Sequence, residues 1–396
     1  MSRKTLLPVL LFIFLNIFKV KTGIYDEALS LIAYNLSASA YADDNEENIM
    51  QCLKKSYPNE NANILHHSTF QCDDTNSDTC GGIYANLPDI DTTVIAFRGT
   101  KQSLELIVEA IQSLEDFVEY DCLQQNVMSN CGYVNKYYMK ASEMAYKTFI
   151  NETINLSSLM NNIVITGHSL GGALATLLAL KLTLNGVPGD KIHVITFGEP
   201  RIGDYNLANT ISQNVPNLYR VVHYQDIVPH YPPCSSDNNN GCMPISGKPY
   251  HHTQEIWYNQ NQKMTKGVYF TCNSTNGEDN NCSDKYISVL QSLLHGGWEN
   301  EHMEYFGYNI RSYGTQGCNE AGKAKIFFFQ ILFIILSFHV LKQCILTPRS
   351  TGLSCSKDVF LPISSNHFKK KFVLSRILTF HTLSEVSRRT PVIMVL

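Results

Sequence analysis

Residues 162–182 read NIVITGHSLGGALATLLALKL, and this stretch decides the fold. Its first part, Ile163–Thr166, is a short β-branched run of the kind that fills a strand buried on both faces. From Leu170 to Leu184 apolar residues recur at three- and four-residue spacing, which predicts a helix. Between them stands Gly167-His168-Ser169-Leu170-Gly171. A strand that turns abruptly into a helix leaves the serine at the tip of a strained bend, and glycines two residues to either side remove side chains that would collide there. The bare pentapeptide arises by chance in roughly one chain in ten of this size, so the flanking strand and helix carry the reading, helped by the small pair Gly172 and Ala173. His168, next to the serine, is expected to point away from it in a structural role.

Outward from this segment the pattern repeats. Thr93–Phe97, Ile192–Phe197 and Arg220–Tyr224 read as buried strands, and Lys136–Ile150 as a helix. The alternation predicts an α/β fold with a mostly parallel central sheet flanked by helices. No repeat of 20–50 residues appears. Asn/Asp/Gly clusters at 235–241 and 276–284 are loops, and neither fits a calcium loop, since Ser236 stands where an aspartate ligand is required. A serine nucleophile needs a base that is itself oriented by a carboxylate, and in this class of fold the chain order is Ser, Asp, His. After the strand ending RVVHY comes Gln225-Asp226-Ile227-Val228-Pro229, an acid where catalytic groups of open sheets gather. His251 and His252 follow, either of which could be the base.

The formal charge of -4 conceals three regions. Residues 1–23 carry four basic and no acidic side chains, residues 24–318 carry 16 basic and 32 acidic, and residues 319–396 carry 11 basic and 3 acidic. An acidic centre of this strength repels phosphates, which sets nucleic acid aside as a partner. Its apolar content excludes disorder. Arg3 and Lys4 precede the apolar run Leu6–Phe18, the form of a secretory signal peptide over residues 1–23. Ten cysteines lie between 52 and 318, consistent with export to an oxidising, extracellular compartment. Four sequence-adjacent pairs, Cys72/Cys80, Cys122/Cys131, Cys234/Cys242 and Cys272/Cys282, close short loops, which leaves Cys52 and Cys318 to join the domain's two ends. Sequons stand at Asn35, Asn151, Asn155, Asn273 and Asn281. Residues 319–396 form a basic extension in which the mostly apolar segment 326–341 is short for a membrane span. A secreted chain is the expectation, with anchoring through 326–341 the alternative.

Taken in order, YDEALSLIAYNLSASAYADD, VIAFRGT, VITGHSLGGALA, ITFGEPRIGD, VVHYQDIVPHYPP, YHHTQEIWY and HMEYFGYNIRSYGTQGC resemble the class 3, fungal-type triacylglycerol lipases, especially their secreted nematode members. The resemblance covers nearly all of 24–318 and implies an α/β-hydrolase fold with Ser169 as nucleophile and Asp226 as acid. It implies His251 as base, four residues before Glu255 in the family's His-x-x-x-Glu pattern, with His252 as the alternative. It further implies an oxyanion site formed by Thr100, through its N–H and hydroxyl, and the N–H of Leu170.

Beyond Thr100, Leu104, Ile107, Val108, Ile111, Leu114 and Val118 recur at helical spacing opposite Glu105, Glu109, Gln112 and Glu119. This amphipathic helix reads as the family's lid or as an ordinary surface helix. The implied activity is hydrolysis of lipid esters at a lipid–water interface, triacylglycerols first, without metal or organic cofactor. Phospholipase A1, carboxylesterase or feruloyl esterase activity on the same scaffold, and a non-catalytic lipid-binding protein, are the alternatives.

Overall fold

The computed structural model describes residues 24–319, apart from 73–78, 102–115, 123–130, 152–155, 157–158, 160, 238–240, 261–263, 274 and 287–297. All of them belong to the first of two units, residues 1–320 and 321–396. The expected signal peptide 1–23 and the segment 326–341 lie outside the described residues, as do Leu104, Ile107, Val108, Ile111 and Leu114. Among the described residues no helix is long and apolar enough to cross a membrane.

The elements in chain order are α1 (Glu27–Ser39), α2 (Glu46–Ser56), β1 (Asn63–Gln71), β2 (Thr79–Leu87), β3 (Thr92–Arg98), β4 (Phe117–Glu119), β5 (Tyr133–Asn135) and α3 (Lys136–Tyr146). They continue with β6 (Asn162–His168), α4 (Leu170–Leu184), β7 (Ile192–Phe197), β8 (Gly203–Asp204), α5 (Tyr205–Asn214), β9 (Asn217–His223), β10 (Pro249–Tyr250) and β11 (Glu255–Tyr258). The last are β12 (Phe270–Thr271), α6 (Trp298–Met303), β13 (Glu304–Tyr305), β14 (Tyr308–Asn309) and α7 (Ile310–Thr315).

Eight strands form the main sheet in the order β1-β2-β3-β6-β7-β9-β11-β12. Its centre, β3-β6-β7-β9-β11, is parallel, and antiparallel pairs close both edges. The apolar runs are continuous because both faces are covered, with successive residues pointing to opposite sides. Ile165 and Val194 enter one core with Leu174 and Leu178 of α4. Their neighbours Val164 and Ile195 pack on the other side, Ile195 against Ala33 and Tyr34 of α1. The α4 helix is apolar all round for the same reason, since twelve of its residues are buried.

All five expected cysteine pairings are present: Cys52–Cys318, Cys72–Cys80, Cys122–Cys131, Cys234–Cys242 and Cys272–Cys282. Val118, expected on a helix, lies on a strand instead: Phe117–Glu119 pairs antiparallel with β5 and Val118 packs onto the core. The helix expected over 136–150 leaves α-geometry after Tyr146 and ends in a wider turn, Lys147–Asn151. Among the sequons, Asn273 and Asn281 are exposed. Asn35 is half-buried on α1, its Oδ1 accepts the Tyr313 hydroxyl at 3.1 Å, and its sequon partner Ser37 is fully buried. Asn155 lies outside the described residues, as does the side chain of Asn151.

Candidate active site

The C-terminal ends of the parallel strands carry the reactive groups, as in other open α/β sheets. Between β6 and α4, Ser169 adopts φ 58° and ψ -128°, a backbone conformation disfavoured for a residue with a side chain. The bend is held by the Ser169 N–H, which donates to the Phe197 carbonyl at 2.9 Å. The two flanking glycines are required sterically. A Cβ on Gly167 would lie 2.0 Å from the Gly171 carbonyl oxygen, and one on Gly171 would lie 2.3 Å from that of Phe97. Leu170 opens α4, where first-turn N–H groups have no intrahelical acceptor.

The turn after β3 runs against the serine. A Cβ on Gly99 would be 3.0 Å from the Ser169 Cβ, so the chain approaches there only as glycine. Thr100 follows and is buried. Arg98 Nη1 donates to the Gly99 carbonyl at 3.0 Å, and because that peptide is planar and trans, the Thr100 N–H points the opposite way. Arg311 Nη2 holds the Thr100 carbonyl at 3.0 Å. Asp43 grips both flanks of the turn, accepting Arg98 Nε and Lys101 Nζ at 2.6 Å each. Burial opposes its charge, but Arg98 and Lys101 keep the Asp43 carboxyl below the ordinary range.

Asp226, just beyond β9, is fully buried and makes four contacts with three donors. The Val228 N–H reaches Oδ1 at 3.0 Å and the Tyr305 hydroxyl reaches Oδ2 at 2.7 Å. His302 Nδ1 lies 3.0 Å from Oδ1 and 2.9 Å from Oδ2. Burial by itself would raise the Asp226 carboxyl, yet His302, Tyr305 and Val228 hold it below the ordinary carboxylate value. An ionised carboxylate only accepts, so His302 Nδ1 carries the hydrogen and Nε2 is left with its lone pair. Both His302 Nε2 and Ser169 Oγ are buried without a hydrogen-bond partner among the described residues. Catalytic hydrogen bonds of a free enzyme are often made only once substrate is bound. The ring of His168, the residue before Ser169 in the chain, packs on the His302 ring with centroids 4.5 Å apart, which brings the His302 ring beside the serine's own segment.

The structure therefore corrects the expected partner of Asp226. His251 does not reach it. His251 Nε2 donates to the Pro229 carbonyl at 2.6 Å, and its backbone N–H donates to Glu278. Burial and the nearby Arg220 and Arg201 guanidiniums push its ring well below the ordinary histidine value. His252 is taken up elsewhere, with Nε2 3.1 Å from Glu199 Oε1. Glu255, which completed the His-x-x-x-Glu pattern, faces Arg220 at 3.6 Å. His302 and Tyr305 lie within HMEYFGY, a segment counted among the matching motifs but not read for its histidine. The chain order Ser, Asp, His fits His302 as well as it fits His251 or His252.

The carboxylates and cysteines that cluster elsewhere offer no metal set among the described residues, because each group near Glu255 or Glu278 includes cysteines already in disulfides.

Residues 94–236 match the family model described as lipase (class 3). Lipase ZK262.3 of Caenorhabditis elegans is 32% identical over 311 residues, covering 74% of this chain and 83% of the relative. A lipase of Rhizomucor miehei is 34% identical over 150 residues, 37% of this chain and 35% of that protein. Among solved structures, lipase II from Rhizopus niveus superposes with a TM-score of 0.55 at 23% identity, over 72% of this chain and 95% of its own, a likeness of fold. Strand order, the strained serine at its elbow and the extent of the nematode match together lead to one assignment: the chain belongs to the class 3 lipase family.

Proposed function

We propose that this protein is a secreted serine esterase that hydrolyses lipid esters, triacylglycerols foremost, through an acyl-enzyme, with Ser169 as nucleophile, His302 as base and Asp226 as its orienting acid. The observation that carries the reading is the Asp226–His302 pair, whose remaining Nε2 has no partner among the described residues, together with a serine held at positive φ. His302 Nε2 takes the Ser169 proton as Oγ attacks the ester carbon. The Thr100 and Leu170 N–H groups stabilise the oxyanion, and each such donor is worth about 3–4 kcal/mol of barrier. The protonated imidazole then gives its proton to the leaving alcohol. Water, activated by the same nitrogen, releases the fatty acid. Asp226 fixes the tautomer and balances the imidazolium charge.

Five disulfides favour an oxidising destination. The acidic domain favours neutral lipid over strongly anionic surfaces. The test is kinetic, on the full chain, with triolein emulsion, phosphatidylcholine and p-nitrophenyl butyrate as substrates. His302→Ala is expected to lose at least 10³-fold in kcat on the soluble ester while His251→Asn, per folded molecule, stays within a few-fold of the parent. A reversed order would overturn the assignment of the base. Faster turnover of phosphatidylcholine than of triolein would move the substrate to phospholipid.

A further inference from the structure

His168 and Tyr41 are both fully buried polar side chains, and neither belongs to the Ser-His-Asp set. His168 Nε2 lies 2.7 Å from the backbone carbonyl of His302, and His168 Nδ1 lies 2.7 Å from the Tyr41 hydroxyl. That hydroxyl in turn lies 3.2 Å from the Gly99 N–H. The direction of every bond is fixed by valence. A carbonyl only accepts, so His168 Nε2 bears the hydrogen. The neutral ring then has its lone pair on Nδ1, which obliges Tyr41 to donate there. The oxygen lone pair of Tyr41 is left to accept from Gly99. The ring stays neutral because burial, reinforced by His302, pushes it down to about 3. Burial likewise pushes the Tyr41 hydroxyl up to about 12, so it keeps the proton that the chain needs.

We propose that Tyr41 and His168 are positioning residues for the hydrolysis. They form a one-way hydrogen-bond chain, Gly99 N–H to Tyr41 to His168 to the His302 carbonyl, which sets the oxyanion turn and the base at a fixed separation on either side of Ser169. The inference rests on the assignment of His302 and Thr100 made above. The geometry goes beyond packing, because the chain begins one residue before Thr100 and ends on the base's own backbone. It also passes through the residue that precedes the nucleophile, so a single relay touches all three parts of the site. Arg311 strengthens the same end: its guanidinium lies 5.9 Å from the centre of the Tyr41 ring and its Nη2 holds the Thr100 carbonyl. An apolar pair would fill the same volume without linking the oxyanion turn to the base.

The experiment uses the full chain with four substitutions, Tyr41→Phe, His168→Phe, His168→Gln and His302→Ala, and the double variant Tyr41→Phe/His168→Phe. Measured are kcat and KM on p-nitrophenyl butyrate, the inhibition constant of a trifluoromethyl ketone that forms a tetrahedral adduct, and thermal unfolding. Tyr41→Phe is expected to lower kcat about 10- to 100-fold with KM within about twofold, and to weaken the ketone by the same factor as kcat. His168→Gln, which retains one donor and one acceptor, recovers most of what His168→Phe loses. The double variant falls no further than the worse single one, because either change breaks the same chain. Unchanged kcat and ketone affinity in Tyr41→Phe, whatever its melting temperature, overturns the proposal. So does a multiplicative loss in the double variant. If His168→Phe does not fold, Tyr41→Phe decides alone, since it removes a single oxygen. His302→Ala separates the two levels: an inactive His302→Ala beside a fully active Tyr41→Phe sinks only the relay, whereas an active His302→Ala sinks the base assignment beneath it.

Discussion

A methyl group at residue 198 tests the Asp226–His302 pair without touching either side chain. Gly198 follows β7 at φ +59°, and a Cβ there would stand 2.6 Å from Asp226 Oδ2, 2.8 Å from His302 Nδ1 and 2.9 Å from His302 Cε1. Ordinary van der Waals contact begins near 3.4 Å, so Gly198→Ala drives the pair back by ~0.8 Å, on the scale where misplacement costs about 10²-fold in rate. That loss corresponds to about 2.7 kcal/mol of barrier. The left-handed backbone adds about 1 kcal/mol of destabilisation of its own. Gly247→Ala separates these two costs, since Gly247 has φ +72° with nothing among the described residues within 4 Å of its would-be Cβ. The assay is kcat on a soluble p-nitrophenyl ester together with urea unfolding of parent and both variants. Gly247→Ala should lose about 1 kcal/mol of stability and keep its kcat. Gly198→Ala should lose kcat by about two orders of magnitude while remaining folded. A folded Gly198→Ala with kcat within twofold of the parent would falsify the claim that the Asp226–His302 geometry limits the reaction.

Removing the carboxylate in Asp43→Ala leaves the fully buried Arg98 guanidinium without its counter-ion, and a loss of about 3–5 kcal/mol is expected in chemical unfolding. Replacing Cys52 and Cys318 by serine opens a link of 266 residues and should cost about 4–5 kcal/mol, whereas opening Cys72–Cys80, separated by 8, should cost about half as much; unfolding midpoints give the comparison. Stability should also fall on mild acidification. His168 binds its proton near pH 6.5 when unfolded but only at about 3 when folded, so the unfolded state gains protons first and the stabilisation is lost as pH drops below about 6.5. Between pH 7 and pH 5 this one group accounts for about 2 kcal/mol. Urea titrations at the two values should show a visibly smaller pH difference in His168→Phe than in the parent.

Much of the fold could be read locally. Strands buried on both faces announce themselves as unbroken apolar runs, and the β6–α4 elbow as glycines around a serine, because each is a consequence of residues near one another in the chain. The disulfides were legible by a similar economy: four short loops account for eight cysteines, and the remaining two must meet. Val118 was misread because its apolar side chain fits a helical period, while its actual pairing with Val134 of β5 is non-local. The significance of Tyr41 was equally hidden. A tyrosine in an Ala/Ser-rich helix end reads as core, and only the meeting of the segment just after α1 with the end of β6 and the turn after β3 gives its hydroxyl two partners.

The histidine is the instructive case, because what selects a base is its surrounding charge and no sequence spacing encodes that. Five histidines follow Asp226 within residues 24–318, and order alone admits each of them. A base must become an imidazolium as the serine attacks, so its site has to favour positive charge. His251 is surrounded unfavourably: it is buried, and Arg220 and Arg201 both oppose its protonation. One clue to this stood in the chain. Arg220 stands mid-strand in β9, every residue of which is buried, and a guanidinium buried there requires a carboxylate. Glu255 is that carboxylate, directly beside Arg220 in the parallel β9–β11 register and 3.6 Å from it. Once Glu255 is committed to Arg220, the His-x-x-x-Glu spacing describes a structural ion pair, and His251 is left buried, with its Nε2 on the Pro229 carbonyl. Asp226 then needs an imidazole from elsewhere. His302, carried on the short α6 with Tyr305 just beyond it, arrives with its Nδ1 on a carboxylate that four contacts keep ionised, which is the setting in which Nε2 can accept a proton and return it.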